Sequence, residues 1–519
     1  MLFEELRAQN ALHPTLLDTI TQDLRFDYMT PVQAATIHDL LNHSDVLAQA
    51  KTGTGKTLAF LLPAIQTMLS ANTSRQDRSQ ISCLVLAPTR ELALQIGAEA
   101  KALLQRLPQI KVATSIGGTN KDKEARAISQ GCNILVGTPG RLLDHLSDEN
   151  MQYQLSSLRT LVLDEADRML DMGFLPDIKR IINHLPKKNA VPRQSMLFSA
   201  TINEQVGKVA TLILAQNYKS ISTIPKGEVN THERVPQYLF LAPTMSDLAP
   251  ALVAMLRAES AASADFKAIV FAPTAALTDF YAHVLSNLIG GPAAESLPPV
   301  TVLHSRLSQS KRTAITQEFK KAAKGICVAT DVIARGMDFP NVSHVFQVGL
   351  PMDRESYIHR LGRTARAEAD GRGILILSEQ EKSFLHKIKD IPIQQYPSQL
   401  AYGIDDIAGT LRTMEKKDKI YQAWLGYYKT FAKSLGWSTS DLVQQANTFA
   451  LNGLRCPKVP GIQKSTIGKM GLKGVPGLIM LPNEAGSGDK NRRGGGEGRR
   501  VAPGSTGAGD KNKRGGGRR

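Results

Sequence analysis

The chain is short of cysteine, of long apolar runs and of acid, and each shortage excludes something. Its four cysteines (Cys83, Cys132, Cys327 and Cys456) lie far apart, without metal-ligand spacing. That excludes a disulfide framework and a cysteine-built zinc site, and reads as reduced thiols in a reducing compartment. No window approaches 18 uninterrupted apolar residues, so no helix is expected to span a membrane. The first residues, Met-Leu-Phe-Glu-Glu, have neither a basic segment before an apolar core nor an Arg/Ser-rich, acid-poor composition, so no secretory or transit segment is expected in them. Acid is outnumbered: 47 Asp/Glu face 63 Lys/Arg, a net charge of +16. Such an excess suits a polyanionic partner. It is also concentrated. Residues 400–483 hold 11 Lys/Arg against 5 Asp/Glu, and residues 484–519 hold 10 against 4.

What is present is the substance of a soluble globular protein, 42% hydrophobic and 21% charged over 519 residues, too many for one core. Short apolar runs recur, each closing on a polar or glycine-containing turn. In the first half they are Val46–Ala48, Cys83–Ala87, Ile134–Val136, Leu161–Leu163 and Met196–Phe198. In the second they are Ala268–Phe271, Val300–Leu303, Ile326–Ala329, His344–Val348 and Ile374–Leu377. Near-continuous apolar strands separated by helical stretches predict α/β domains with parallel sheets covered on both faces. Functional residues then belong at the carboxyl ends of the strands. The spacing predicts a first domain over 1–222, a linker over 223–236, a second domain over 237–395, a helical extension over 396–483 and a disordered basic tail over 484–519. The tail carries a near-duplicate, Gly488–Gly496 and Gly509–Gly517.

Ala50-Lys-Thr-Gly-Thr-Gly-Lys56-Thr57 follows the first strand and opens a helix. Glycines let backbone amides close around phosphates, and the helix N-terminus adds its positive end. Thr52, Gly53, Thr54 and Gly55 would cradle the phosphates, Lys56 would reach the β/γ-phosphates, and Thr57 would face a Mg²⁺ ion. The strict pattern has Gly where this chain has Ala50. Leu161-Val-Leu163 ends in Asp164-Glu165, where a nucleotide-borne Mg²⁺ needs a carboxylate and an attacking water needs a base. A helix cap with solvated acids would account for one Asp but not for the pair beside a phosphate loop. Gln33, in Thr30-Pro31-Val32-Gln33, can bond adenine N6 and N7 together.

With these residues in place the sequence resembles a DEAD-box RNA helicase, most closely the fungal mitochondrial subgroup that chaperones RNA in intron splicing. The resemblance is carried in order by Phe26 and Thr30–Gln33; Ala50–Thr57; Pro88-Thr89-Arg90-Glu91-Leu92; Gly117-Gly118; Thr138-Pro139-Gly140-Arg141; Asp164–Asp167; Ser199-Ala200-Thr201; Val270-Phe271; Gln309–Arg312; Thr330-Asp331; Arg335–Asp338; and His359–Arg366. Ala50 is also the residue this family carries. The resemblance implies two tandem RecA-like domains that close over ATP and RNA. It implies Glu165 as the base, with Asp164 and Lys56 beside it, and Arg363 and Arg366 as arginine fingers. Phe26, Gly336 and Asp338 join the ATP contacts. Asp167, Ser199, Thr201 and His359 couple closure to RNA strain. Thr89, Arg90, Gly118, Thr138, Arg141, Arg312 and Thr330 line the RNA backbone, which makes binding largely independent of sequence. Ser305 stands where many relatives have Gly.

The resemblance further implies a monomer in the mitochondrial matrix that opens short duplexes locally. An ATP-gated RNA clamp, a ribosome-assembly helicase of the nucleus or cytoplasm, and a DNA translocase need many of the same residues. In the extension, Tyr421, Trp424, Leu425 and Tyr428 share a helical face, expected as packed core, with base stacking as the alternative. The Arg/Lys/Gly tail suits a salt-sensitive RNA tether.

Overall fold

The computed structural model describes residues 1–51, 53–70, 80–188, 190–224, 235–289, 296–333, 339–365 and 371–483. Two seven-stranded parallel sheets organise them. The first contains β1 (Val46–Gln49), β2 (Cys83–Leu86), β3 (Val112–Ser115), β4 (Ile134–Gly137), β5 (Thr160–Leu163), β6 (Gln194–Ser199) and β7 (Lys219–Ser222), in the order β3-β4-β2-β5-β6-β1-β7. The second contains β8 (Gln237–Ala242), β9 (Lys267–Phe271), β10 (Val300–Leu303), β11 (Gly325–Ala329), β12 (His344–Val348), β13 (Arg372–Ser378) and β14 (Gln394–Gln395), in the order β10-β11-β9-β12-β13-β8-β14. Counted from the first strand of each, the two orders are the same.

Helices cover both faces of each sheet, which is why the strands read as continuous apolar runs. Alternate residues of one strand enter opposite cores: Val46 and Ala48 pack into one, Leu47 into the other. Val162 and its neighbours Leu161 and Leu163 divide the same way. The tandem parallel α/β architecture is as the sequence implies. Four strands were not expected: β3, β7, β8 and β14. Three lie at sheet edges, where one flank faces water and the apolar signal fades. In β7 every residue is exposed except Ile221, which is partly buried. Strand β7 ends at Ser222 and β8 begins at Gln237, and residues 225–234 of the expected linker lie outside the described residues. So does the expected tail, 484–519.

The C-terminal extension is helical over Ala408–Thr413, Lys417–Lys429, Thr439–Thr448 and Lys464–Lys469. It also forms a two-stranded sheet that sequence periodicity does not announce, Ile462–Gln463 with Met480–Leu481. The extension shares one continuous core with the second domain. Trp424 is buried, its ring 4.2 Å from Tyr428 and 5.5 Å from Phe449 between centroids. Tyr421, Leu425 and Tyr428 are buried with it. This helical face is therefore packed core, and its rings are not exposed for stacking with bases. A fully buried carboxylate fastens the junction. Glu381 accepts the Tyr428 hydroxyl at 2.7 Å, the Leu350 amide at 3.0 Å and the Ser378 amide at 2.8 Å. Next to it the Tyr427 hydroxyl donates to the Leu350 carbonyl at 2.6 Å. Burial holds the Glu381 carboxyl above its ordinary range, against the hydrogen bonds it accepts.

Candidate active site and RNA path

Strand β1 runs into the phosphate loop, and the helix Lys56–Ser70 begins at its lysine. The loop is braced by its own contacts. Lys56 Nζ donates to the carbonyls of Ala50 at 2.9 Å and Lys51 at 3.2 Å, and the Thr54 hydroxyl donates to Lys51 at 2.8 Å. Gly53 and Gly55 take positive φ (+77° and +82°), a conformation that favours glycine. Gly55 is needed for a second reason: a Cβ there would lie 2.6 Å from Gln33 Nε2. That close approach lets Gln33 Nε2 donate to the Gly55 carbonyl at 3.0 Å while its Oε1 accepts the Thr30 amide at 2.9 Å. Gln33 thus spends one bond of each amide atom on the loop and on its own helix, and keeps a second donor and lone pair. Phe26, four residues before Thr30, is 44% exposed. Thr57 stands in the first turn of the loop's helix. Thr52 lies outside the described residues.

At the end of β5, Asp164 and Glu165 are both buried. Glu165 takes a left-handed backbone (φ +50°), uncommon for a residue with a side chain, as the strand turns sharply into the helix Ala166–Asp171. Its amide donates to Asp164 Oδ1 at 2.9 Å, and its Oε2 is buried without a hydrogen-bond partner. Burial pushes the Asp164 carboxyl up to about 7; the Lys56 ammonium opposes this and the Glu165 charge adds to it. Two buried carboxylates, one of them an orphaned acceptor, fit a Mg²⁺ ion that arrives with a nucleotide's phosphates. Among the described residues no group of three or more His, Cys, Asp or Glu could hold a metal without them.

Asp167 ties this strand end to β6. Its Oδ2 accepts the Thr201 amide and hydroxyl, both at 3.2 Å, and its amide lies 3.4 Å from Ser199 Oγ. The Ser199 hydroxyl donates to the Thr201 carbonyl at 2.7 Å, and the Ala50 amide donates to the Ser199 carbonyl at 3.1 Å. The acidic motif, the Ser199–Thr201 turn and the phosphate loop therefore form one hydrogen-bonded chain.

In the second domain, Arg360 is fully buried and grips Asp331 with two bonds, at 2.6 and 2.9 Å, over the Phe271 ring. Arg168, following the acidic motif, reaches the Asp331 carbonyl at 3.5 Å from the first domain. His359 and Arg363 are buried on and just after the helix Arg354–Leu361. Gly336, Asp338 and Arg366 lie outside the described residues.

The expected RNA-lining residues follow β2, β3 and β4. Thr89 caps the helix Arg90–Leu103 by accepting the Leu92 amide at 3.2 Å. The Arg90 guanidinium lies on the Gly117-Gly118 turn: a Cβ at Gly118 would meet its Nη1 at 2.5 Å. Thr138 and Arg141 stand at the start of the helix Pro139–Leu146, after β4. Thr330 follows β11, its amide donating to the Leu303 carbonyl at 3.2 Å. Arg312 stands on the helix Gln309–Lys321. It is buried, with Nη2 2.5 Å from Glu91 Oε2, while Gln309 Nε2 donates to Glu91 Oε1 at 3.1 Å. The guanidinium thereby faces a carboxylate of the other domain. Arg312 thus takes part in the contact between the domains. Glu91 was visible only as part of a motif; nothing in the sequence signalled its partners, 218 residues away in the case of Gln309.

The comparisons with known proteins point to one family. A family profile described as DEAD/DEAH box helicase matches residues 30–209, and one described as helicase conserved C-terminal domain matches residues 250–368. A mitochondrial ATP-dependent RNA helicase, MSS116, of Phaeosphaeria nodorum is 44% identical over 92% of this chain and 86% of its own length. The chain belongs to the DEAD-box RNA helicases. It is accordingly an ATP-dependent enzyme of that family. The corresponding helicase of Aspergillus oryzae is 42% identical over 91% of this chain and 75% of its own length. Plant members are similar too, including DEAD-box ATP-dependent RNA helicase 25 of rice, at 43% over 91% of the chain. Among solved structures, Mss116p bound to single-stranded RNA and AMP-PNP superposes with a TM-score of 0.79 at 30% identity. That match covers 93% of this helicase and 97% of the solved chain.

Proposed function

We propose that this helicase couples ATP hydrolysis to local opening of short RNA duplexes, and that it serves as an RNA chaperone in the mitochondrion, assisting intron splicing and RNA folding. One observation supports this most: the likeness to mitochondrial helicases runs through the extension as well as the two-domain core, over 92% of the chain. Lys56 and the loop amides hold the phosphates, and Gln33 and Phe26 hold the base. Asp164 and Thr57 would hold Mg²⁺, which supplies charge neutralisation at the phosphates when bound. Glu165 takes the proton of the attacking water, for which its unpartnered Oε2 is suited. Arg363, with Arg366 beyond the described residues, stabilises the transferring phosphoryl only when the domains meet, so hydrolysis depends on closure. Thr89, Arg90, Gly118, Thr138, Arg141 and Thr330 receive the RNA backbone without reading sequence. The enzyme acts as a monomer, with its tail as a phosphate-binding tether.

The test is nucleic-acid-stimulated ATPase with matched single strands. Stimulation by RNA and none by DNA is expected, since 2′-hydroxyl contacts separate the two. Equal stimulation by DNA would sink the RNA assignment, and strand separation absent under rapid turnover would favour a clamp.

A further inference from the structure

Beside the proposed RNA path, the turn Gly117–Thr119 and the helix Pro139–Leu146 are joined by a side chain from neither. Glu124 stands on the intervening helix Lys121–Ser129. Its Oε1 accepts the Ile116 amide at 3.3 Å and the Thr119 hydroxyl. Its Oε2 accepts Arg141 Nη1 at 3.1 Å and lies 3.0 Å from His145 Nε2. Arg141 Nη2 closes the ring by donating to the Thr119 carbonyl at 3.1 Å. The Arg141 and Glu124 side chains are each 10% exposed and His145 is 4% exposed, so water competes little for these bonds. Burial raises the Glu124 carboxyl, but the His145, Thr119 and Ile116 donors and the Arg141 charge outweigh it, and the group sits below its ordinary range.

We propose that Glu124 is a positioning residue for RNA binding, its carboxylate fixing the Arg141 guanidinium against the Gly117–Thr119 turn before RNA arrives. The inference rests on the reading of Arg141 as a backbone contact. An arginine free in water gives up rotamer freedom when it takes a phosphate; one already held has lost that freedom on folding. Because Glu124 cancels one unit of charge, the gain to RNA is geometric, from a guanidinium held in place beside amides of the turn. A carboxylate that merely competed with phosphate for Arg141 would give an effect of opposite sign.

The experiment uses the full chain, a labelled single-stranded RNA with a non-hydrolysable ATP analogue, and RNA-stimulated ATPase. Glu124→Gln keeps size and one acceptor while removing the charge. It should weaken RNA binding about tenfold, the scale of one lost charge-assisted bond. Half-saturating RNA should rise by a similar factor, with kcat at saturating RNA retained. Glu124→Gln combined with Arg141→Ala should bind RNA no more weakly than Arg141→Ala alone. Unchanged or tighter binding by Glu124→Gln, with Arg141→Ala weakened, overturns the proposal. Additive losses with a fallen kcat overturn it too, because they mark a general structural role. If Arg141→Ala itself binds RNA normally, the underlying RNA-path reading fails and the proposal with it.

Discussion

The two sheets share one strand order and differ in what stands at their carboxyl ends. After β1 the chain makes a glycine loop that ends in Lys56; after β8, the equivalent strand, it makes Pro243-Thr244 and a turn capped by Asp247, whose carboxylate accepts the Thr244 hydroxyl at 2.8 Å. After β5 stand Asp164 and Glu165; after β12, its counterpart, stand Gly349 and Leu350. There the extension fills the space. Tyr427 bonds Leu350, Tyr428 bonds Glu381, and a Cβ at Gly349 would lie 3.0 Å from the Tyr428 hydroxyl. One copy of the scaffold ends in a glycine loop and two buried acids, and the other covers the matching strand end with aromatic side chains. In the proposed function the second copy is the partner that brings Arg363 to the phosphoryl group. Scaffold repetition does not imply repeated chemistry; the residues at two turns decide it.

The comparison can be broken most sharply at Glu165. Glu165→Gln should lower single-turnover hydrolysis by about a hundredfold or more, the range for losing a general base, while ATP and RNA still bind. Retained RNA-stimulated hydrolysis would move the base elsewhere. Arg363→Ala asks whether the second copy contributes to the reaction. A fall of about a thousandfold in kcat is expected with modest change in ATP affinity, and intact kcat would leave the second domain without that role. Tyr428→Phe probes the covered strand end. It strips a donor from buried Glu381 and should cost about 1–3 kcal/mol, read as a lower unfolding midpoint. No change would mean that the extension only rests on the domain. The smallest effect concerns the buried acids. With the Asp164 carboxyl raised from 3.8 to about 7, the folded apo-protein binds more protons than the unfolded chain between those values. Stability then falls as pH rises through about 7, and Asp164→Asn should flatten that part of the melting-temperature profile. A profile unchanged by the substitution would place the dependence on another group.

Much of this was legible in sequence, for identifiable reasons. Ile134–Val136 and Leu161–Leu163 are buried on both faces, so apolar runs betrayed them. Val112–Ser115 and Lys219–Ser222 sit at edges, partly buried in the first and largely exposed in the second, and their composition says little. Lys56, Asp164 and Glu165 could be read because phosphate and metal chemistry constrains residue type at short spacing. Glu124 and Glu91 could not, because their partners come from other segments and an acid on a helix ordinarily faces water. The same holds for the carboxylate that Arg312 meets, which lies in the other domain. The aromatic face of 421–428 was read correctly as core, since helical spacing of large rings signals burial whatever it packs against.

The contact between Gln33 and Gly55 carries one more consequence. In the proposed function the amide that meets the nucleobase and the peptide that wraps the phosphates are a single hydrogen-bonded piece, with no room for a methyl group between them. An inhibitor occupying only the base pocket would therefore still be felt at the phosphate end. Resistance by enlarging Gly55 would be closed off, because the same change would unseat the glutamine and disable the enzyme it was meant to protect.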